Sequence, residues 1–322
     1  MRLMIQRVGL LLAMLAAILP AAAYDFEVDG IYYNITSMSD LEVGVTYRDF
    51  SSGKNYSYSG NVKIPATVNY DNKTFTVTSI RPYAFGAEID LSGGFNGCAI
   101  TSVELPSTIV RIGDFAFFDS ELESIDLPDN IRSIGSKAFG ECSNLSSVDL
   151  PANLAEICSG AFLECRNLRR IDLPNSLDNI GDLAFFDTVL EVVVIPDRVS
   201  KIGNAAFAYC NLTQIVLGKG VSSIGFNAFR GNSSLTEVFC TAAYPPSGFD
   251  TTFKDTHPAL DIYVPCKENY EGKGIDSGHI VQYLSYSTDG LEYGSGRQSF
   301  GYSGQPHTIL WKNNLKAYTC EI

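Results

Sequence analysis

The sequence predicts a repeat solenoid, a β-rich coil wound from units of about 22–23 residues within a chain of 322. Three observations predict it. An Ala-Phe pair recurs at Phe85, Phe117, Phe139, Phe162, Phe185, Phe207 and Phe229. A Leu/Ile-Pro pair opens successive units at Leu105-Pro106, Leu127-Pro128, Leu150-Pro151, Leu173-Pro174 and Ile195-Pro196, with Leu217-Gly218 next. From the first Leu or Ile of a unit to its Phe is always seventeen residues, as in Ile100 to Phe117, Leu122 to Phe139 and Leu212 to Phe229. Only the link from that Phe to the next unit varies. A coil of fixed cross-section behaves this way, with slack tolerated on one surface turn.

Each element of the unit has a physical role. In Leu122-x-x-Ile125-x-Leu127 the alternation turns Ile125 and Leu127 inward and Asp126 outward. Proline after the strand removes a backbone donor and ends the ladder. The glycine of Ile112-Gly113, Ile134-Gly135, Ile180-Gly181, Ile202-Gly203 and Ile224-Gly225 suits a corner of positive φ, although Cys158 takes that place in one unit. Alanine and phenylalanine are expected to stack coil upon coil as an apolar spine. A single coil cannot bury its own apolar face, so stability requires stacking.

The unit Leu-x-x-Ile-x-Leu-Pro-x-x-Ile-x-x-Ile-Gly-x-x-Ala-Phe-x-x-Cys resembles the BspA-type leucine-rich repeat of bacterial exported surface proteins. It is complete six times between Ile100 and Phe229 and partial from Ile80 to Phe85. The resemblance implies a right-handed leucine-rich-repeat solenoid with short parallel strands. It also implies a bacterial, exported protein, since members of the family with assigned roles are adhesins that bind host matrix proteins or other cells.

The ends read differently. Residues 1–23 form a signal peptide, with Arg2 and Arg7, an apolar run from Val8 to Leu19, and Ala21-Ala22-Ala23 before Tyr24. That run is shorter than the ~20 residues a bilayer-spanning helix needs. The first cysteine is Cys98, so no lipoprotein cysteine follows the cleavage site. Residues 24–79 are expected to make a small antiparallel β cap and 80–240 the leucine-rich-repeat solenoid. Residues 241–275 are the closing coil. Residues 276–322, rich in Gly, Ser and Tyr and holding Trp311, are a tail and a candidate start of a further β module.

Composition narrows the function. The net charge is −13, with 18% charged and 45% hydrophobic residues; the acidic balance argues against nucleic acid and anionic membrane surfaces, and with no later segment able to span a bilayer no membrane insertion is expected. The repeats hold no histidine; His257, His279 and His307 lie in turn-rich sequence near the end. No nucleophile elbow, phosphate loop or metal-binding His-Glu-x-x-His is present. The expectation is no enzyme, no cofactor and no metal. Asp187-Thr188-Val189 matches a short bacterial O-glycosylation acceptor.

Cys142, Cys165 and Cys210 each stand three residues after a repeat Phe. Stacked with parallel Cβ vectors they read as buried thiols filling space rather than as disulfides. Cys240 with Cys266 is the better candidate bridge.

Between the two inward strand positions, successive coils carry Glu104, Asp126, Asp149, Asp172, Val194 and Val216, then Phe239, with Val192 alongside. This outer face is the candidate ligand-binding face. Its acids suit a basic partner or a cation, and its apolar strip suits an anchor. The expected partner is an extracellular protein or glycan bound in adhesin-like fashion; the alternative is a structural scaffold or spacer on the cell surface.

Overall fold

The computed structural model describes residues 24–48, 58–86, 88–89, 95–96, 99–272 and 280–282. Residues 1–23, read from the sequence as a signal peptide, most of 276–322, and His279, His307, Cys98 and Cys320 lie outside these residues. The chain is a β-rich solenoid of stacked coils, as the repeat spacing predicts. Neighbouring coils are joined along three lines of backbone hydrogen bonds.

The first line is a ladder of two-residue strands, Arg111–Ile112, Ser133–Ile134, Glu156–Ile157, Asn179–Ile180, Lys201–Ile202 and Ser223–Ile224, paired in parallel. Ile112, Ile134, Ile157, Ile180, Ile202 and Ile224 stand in register and point into the core. The second line runs along the Leu-x-x-Ile-x-Leu segments and is described below.

The third line passes through the Ala-Phe pairs, where the backbone is a succession of turns rather than a strand. Two residues per coil take left-handed φ. One precedes Phe by two (Phe115, Lys137, Leu183, Ala205, Asn227) and one follows it by two (Asp119, Glu141, Glu164, Asp187, Tyr209). Left-handed backbone costs a residue with a Cβ about 1 kcal/mol. The conformation aims alternate N–H groups at the next coil: Phe115 N donates to Ser136 O (2.9 Å), Phe117 N to Ala138 O (2.8 Å) and Asp119 N to Gly140 O (2.9 Å). Repetition in the following coils makes an inter-coil ladder without extended strands, which leaves few backbone groups unpaired.

The phenylalanines form the expected column. Phe85, Phe117, Phe139, Phe162, Phe185, Phe207 and Phe229 are wholly buried. Their rings stack nearly parallel with centroids 5.0–5.4 Å apart. An eighth ring, Phe253, extends the column at 5.6 Å, and Phe229 N donates to Thr252 O where earlier coils use alanine. The repeat therefore continues one coil beyond the last Ala-Phe pair.

One expectation is corrected. Gly113, Gly135, Gly181, Gly203 and Gly225 do not have positive φ. They are required by close approach: a Cβ on Gly203 would lie 2.4 Å from Asp182 N and Gly181 C in the preceding coil. Each glycine N–H reaches the isoleucine carbonyl one coil back at 2.8–3.0 Å, whereas Cys158 in the same place reaches Ile134 O at 3.3 Å. The side chain is accommodated with a longer inter-coil bond at this corner, while the Phe139 and Phe162 rings keep the 5.4 Å spacing found elsewhere.

At the N-terminal end, Phe26–Val28, Ile31–Ser37 and Glu42–Thr46 form an antiparallel meander. Thr67–Tyr70 pairs antiparallel with Lys73–Ile80. The arrangement is mixed rather than wholly antiparallel, because Lys73–Ile80 also pairs in parallel with Glu42–Thr46 and with Arg111–Ile112. That strand must run with the coils to begin their ladder. At the other end, Asp261–Val264 and Ile280–Gln282 continue the parallel order, with a short helix, Lys267–Tyr270, between them.

Candidate functional site

The outer side of the Leu-x-x-Ile-x-Leu segments is the strand face. Its residues alternate as expected, with Ile125, Val148, Val193, Ile215 and Val238 in the core and their neighbours turned away. The backbone beneath them is divided into short sheets. Gly60–Lys63 pairs with Ile100–Glu104, Ser124–Asp126 with Ser147–Asp149, and Val192–Ile195, Gln214–Leu217, Glu237–Cys240, Asp261–Val264 and Ile280–Gln282 form one five-stranded parallel sheet. The segment Ile171–Leu173, which holds Asp172, is in no strand.

This division follows the outward residues. At Val194, Val216, Phe239 and Tyr263 the strands run to four residues; at Asp126 and Asp149 they shrink to three, and at Asp172 there is none. Aspartate disfavours strands, and like charges directly opposite each other destabilise a pair.

The four acids are all exposed. Asp126 and Asp149 are register partners. Glu104 stands on a separate sheet and pairs with Lys63 at 2.7 Å. Asp172 occupies the next coil, whose Arg169 reaches across to Glu191 at 3.2 Å. The face thus carries outward carboxylates on four consecutive coils, broken into three backbone segments.

The apolar half is built differently from an open strip. Val194, Val216, Phe239, Tyr263 and Val281 are consecutive register partners. They form a hydrophobic cluster of their own, separate from the solenoid core. Val216 is 6% exposed, Phe239 1% and Tyr263 8%, and Phe239 stacks on Tyr263 at 4.6 Å. Val192 and Val194 are half-buried. The structure extends the strip to Tyr263 and Val281, which the sequence reading did not include, and withdraws its centre from solvent.

A second line of acids was not anticipated. Asp119, Glu141, Glu164 and Asp187 occupy the left-handed position after each Phe, on the turn line. Arg166 bridges Glu164 (2.7 Å) and Asp187 (3.1 Å). Burial raises the carboxyl pKa of Asp119. Burial, with the charges of Glu164 and Asp119, raises that of Glu141, against a lowering pull from Lys137 and Arg166. The signal was legible as an acid two residues after four consecutive repeat phenylalanines.

The cysteine position proves to be a hydrogen-bonding one. Cys142, Cys165 and Cys210 are buried and outside any disulfide, as expected. Each thiol donates to the carbonyl of the Phe one coil back: Cys142 to Phe117, Cys165 to Phe139 and Cys210 to Phe185, at 3.0–3.1 Å. Asn232 does the same to Phe207 at 2.9 Å. Burial holds the Cys165 thiol well above its ordinary pKa and pushes that of Cys210 up to about 12, so both keep their protons. Space-filling was half of the account.

The Cys240–Cys266 pairing is overturned, because Cys240 carries a thiol while Cys266 is disulfide-bonded elsewhere. The glycosylation reading of Asp187-Thr188-Val189 fails in the folded chain. Thr188 is 2% exposed, and its hydroxyl donates to Phe185 O at 3.0 Å. His257 accepts a hydrogen bond from Ala259 N within its own turn. Among the described residues, no three His, Cys, Asp or Glu converge as a metal site, and no helix is long and apolar enough to cross a membrane.

The repeat architecture agrees with a family match. The BspA type leucine rich repeat region matches in six copies over residues 89–211 and 200–244. Among solved structures, the chain is similar to a leucine-rich repeat protein of Bacteroides ovatus, at 24% identity, 74% coverage of this chain, 78% of that one and a TM-score of 0.39. It is similar to a leucine-rich cell surface protein of Faecalibacterium prausnitzii, at 20% identity, 78% coverage of both chains and a TM-score of 0.43. The pneumococcal vaccine antigen PcpA matches at 19% identity, over 74% of this chain and 87% of that one, with a TM-score of 0.40. No curated protein matches the chain.

Proposed function

We propose that the chain, whose residues 89–211 and 200–244 match the BspA type leucine rich repeat region, is an exported, adhesin-like binding protein that recognises an extracellular protein or glycan through its strand face. The observation that carries this reading is the array of outward carboxylates Glu104, Asp126, Asp149 and Asp172, exposed on four consecutive coils above a filled core. A protein presenting basic side chains at a spacing of about 5 Å is the partner this array fits best. Val192, Val194, Val216 and Phe239 flank the array, and the reading does not rest on them.

Each charge pair at such a surface is weak. Unit charges ~4 Å apart in water interact by about 1 kcal/mol, and salt screens them further. Recognition by this array therefore gains from several coils engaging together and from faster encounter rather than from one strong contact. No catalytic step, cofactor or metal enters the proposal. The proposed organisation is a signal peptide over 1–23, an N-terminal cap over 24–79, the solenoid over 80–240, a closing coil over 241–275 and a tail over 276–322. It places the mature chain at the cell surface or in the medium.

The test is an array of extracellular matrix proteins and glycans probed with the mature chain. A triple variant, Asp126→Asn, Asp149→Asn, Asp172→Asn, then serves as the comparison. Loss of about tenfold or more in affinity, with a shallower salt dependence, supports the reading. A triple variant that binds as the parent does removes this face. A mature chain that holds no ligand on the array favours a scaffold or spacer instead.

A further inference from the structure

Three arginines stand unmatched in a chain with 36 acidic and 23 basic side chains. Arg166, Arg169, Arg198 and Arg230 are ion-paired, and Arg48 and Arg170 are engaged as well. Arg81, Arg111 and Arg132 are exposed, and none of them has an ion-pair partner among the described residues. With carboxylates in such excess, arginines left over would be expected to scatter. These three lie on one side of the solenoid, on consecutive coils.

They share the outer side of the first line of strands. Arg111 is the register partner of Ser79 in one neighbouring coil and of Ser133 in the other. Arg132 N donates to Val110 O at 3.3 Å, which sets Arg132 beside the residue preceding Arg111. Arg81 follows Ile80, the register partner of Ile112. Its stem lies across Gly44, where a Cβ would come within 2.7 Å of Arg81 Cδ. Coils are about 5 Å apart, so the three guanidinium groups are spread over about 10 Å of the solenoid axis. Around them stand the short residues Gly44, Ser79 and Ser133, with Val110 45% exposed. Glu156, the register partner of Ser133, ends the patch. The proline turns at Pro106 and Pro128 separate it from the strand face and its acids.

We propose that Arg81, Arg111 and Arg132 form a second binding surface, whose occupant is a linear sulfated polysaccharide of the glycosaminoglycan class lying along the solenoid axis. The guanidinium fork matches the paired oxygens of a tetrahedral oxyanion. One arginine per coil suits anions repeated along a chain rather than a single anion held in a pocket. Neutralising a linear polyanion also releases its condensed counterions, a gain that the sparse carboxylates of a folded protein do not offer. The strands beneath are hydrogen-bonded on both sides, so no edge is open for a peptide to join as a further strand. Gly44, Ser79, Arg111 and Ser133 include no aromatic ring, the platform on which single-stranded nucleic acid stacks its bases. A second copy brings the same net charge of −13, which opposes self-association through so small a patch. This surface goes beyond the strand-face reading and does not rest on it.

The mature chain is titrated with a heparin oligosaccharide at a series of salt concentrations. Binding is expected, with log affinity falling against log salt at a slope of about −2 to −3, as three neutralised charges require. The triple variant Arg81→Ser, Arg111→Ser, Arg132→Ser is expected to bind about tenfold or more weakly and to lose most of that slope. Serine already holds Arg111's register position in the coils on either side. Arg111→Ser alone, with a slope smaller by about one, keeps the test if the triple variant does not fold. A parent that does not bind heparin, or variants that keep the parent's affinity and slope, overturn the site. Hyaluronan or polyglutamate bound as tightly as heparin overturns the sulfated occupant. Self-association of the parent that the triple variant abolishes means that a second copy fills the patch, and overturns the polysaccharide. Asp126→Asn, Asp149→Asn, Asp172→Asn is expected to bind heparin at least as tightly as the parent, and a loss there overturns the separation of the two surfaces. Failure of the strand face and failure of this patch are thus read apart.

Discussion

The thiol of Cys165 donates to the carbonyl oxygen of Phe139, one coil back, over 3.0 Å. The same oxygen also accepts Cys142 N of its own coil at 3.3 Å, so one carbonyl ties two coils together at the base of the phenylalanine column. Ser120, Thr188 and Asn232 occupy the equivalent place in other coils. All of these side chains are small and carry a donor.

Cys165→Ala is expected to lower stability by about 1–2 kcal/mol, because a buried bond is lost and the Phe139 carbonyl keeps only its longer partner. Cys165→Ser retains a donor and is expected to stay within about 1 kcal/mol of the parent. Chemical denaturation of the three proteins measures this, and an alanine variant as stable as the serine variant would show that the thiol acts only as filler.

Thr252 stands where every earlier coil has alanine before its stacked phenylalanine, and its buried hydroxyl has no hydrogen-bond partner. Thr252→Val keeps the shape and removes the unsatisfied group. A gain of about 1–2 kcal/mol is expected, read as a higher unfolding midpoint; a loss of stability would mean that the hydroxyl is satisfied in solution.

Glycine positions separate into two kinds. Gly160 has φ +63° at a place where Lys137, Leu183 and Asn227 adopt the same conformation, so Gly160→Asn is expected to change stability by less than about 1 kcal/mol. Gly203→Ala meets backbone at 2.4 Å, and about 1–3 kcal/mol of destabilisation is expected from overpacking. Equal effects at the two sites would refute the distinction.

Glu141 has a raised pKa, first through burial and then through Glu164 and Asp119. A group that binds its proton more tightly in the fold contributes stability that is fully present below the ordinary carboxylate range and lost as the pH rises through the raised value. Glu141→Gln is therefore expected to be more stable than the parent at neutral pH by about 0.5 kcal/mol, kept small by solvent screening. The two proteins should converge near pH 4 and below. A difference that grows on acidification contradicts this.

Much of the fold was legible because the repeat exposes its own logic. The seventeen-residue interval fixed which side chains share a register, and Phe117, Phe139 and Phe162 stack as that interval requires. Phe253 escaped notice because Thr252 replaces the alanine that marks the other pairs. The repeat glycines were assigned to the correct place for the wrong reason. Both a positive φ and a close backbone approach select glycine, and one sequence does not distinguish them. The acids of the strand face were legible by alternation. The acids of the turn line were legible only as a fixed spacing after each phenylalanine, since alternation says nothing about a run of turns.

The sequence by itself determined the solenoid, its register and the outward direction of Asp126 and Phe239, because each depends on local spacing and the coil repeats it. The tertiary structure decided where the strand face divides, which residue Cys240 does not bond, and that Phe239 is out of solvent while Asp126 is in it. Those depend on what lies across the sheet or one coil away. A side chain's direction is set by the backbone on which it sits, whereas its exposure is set by whatever packs on top.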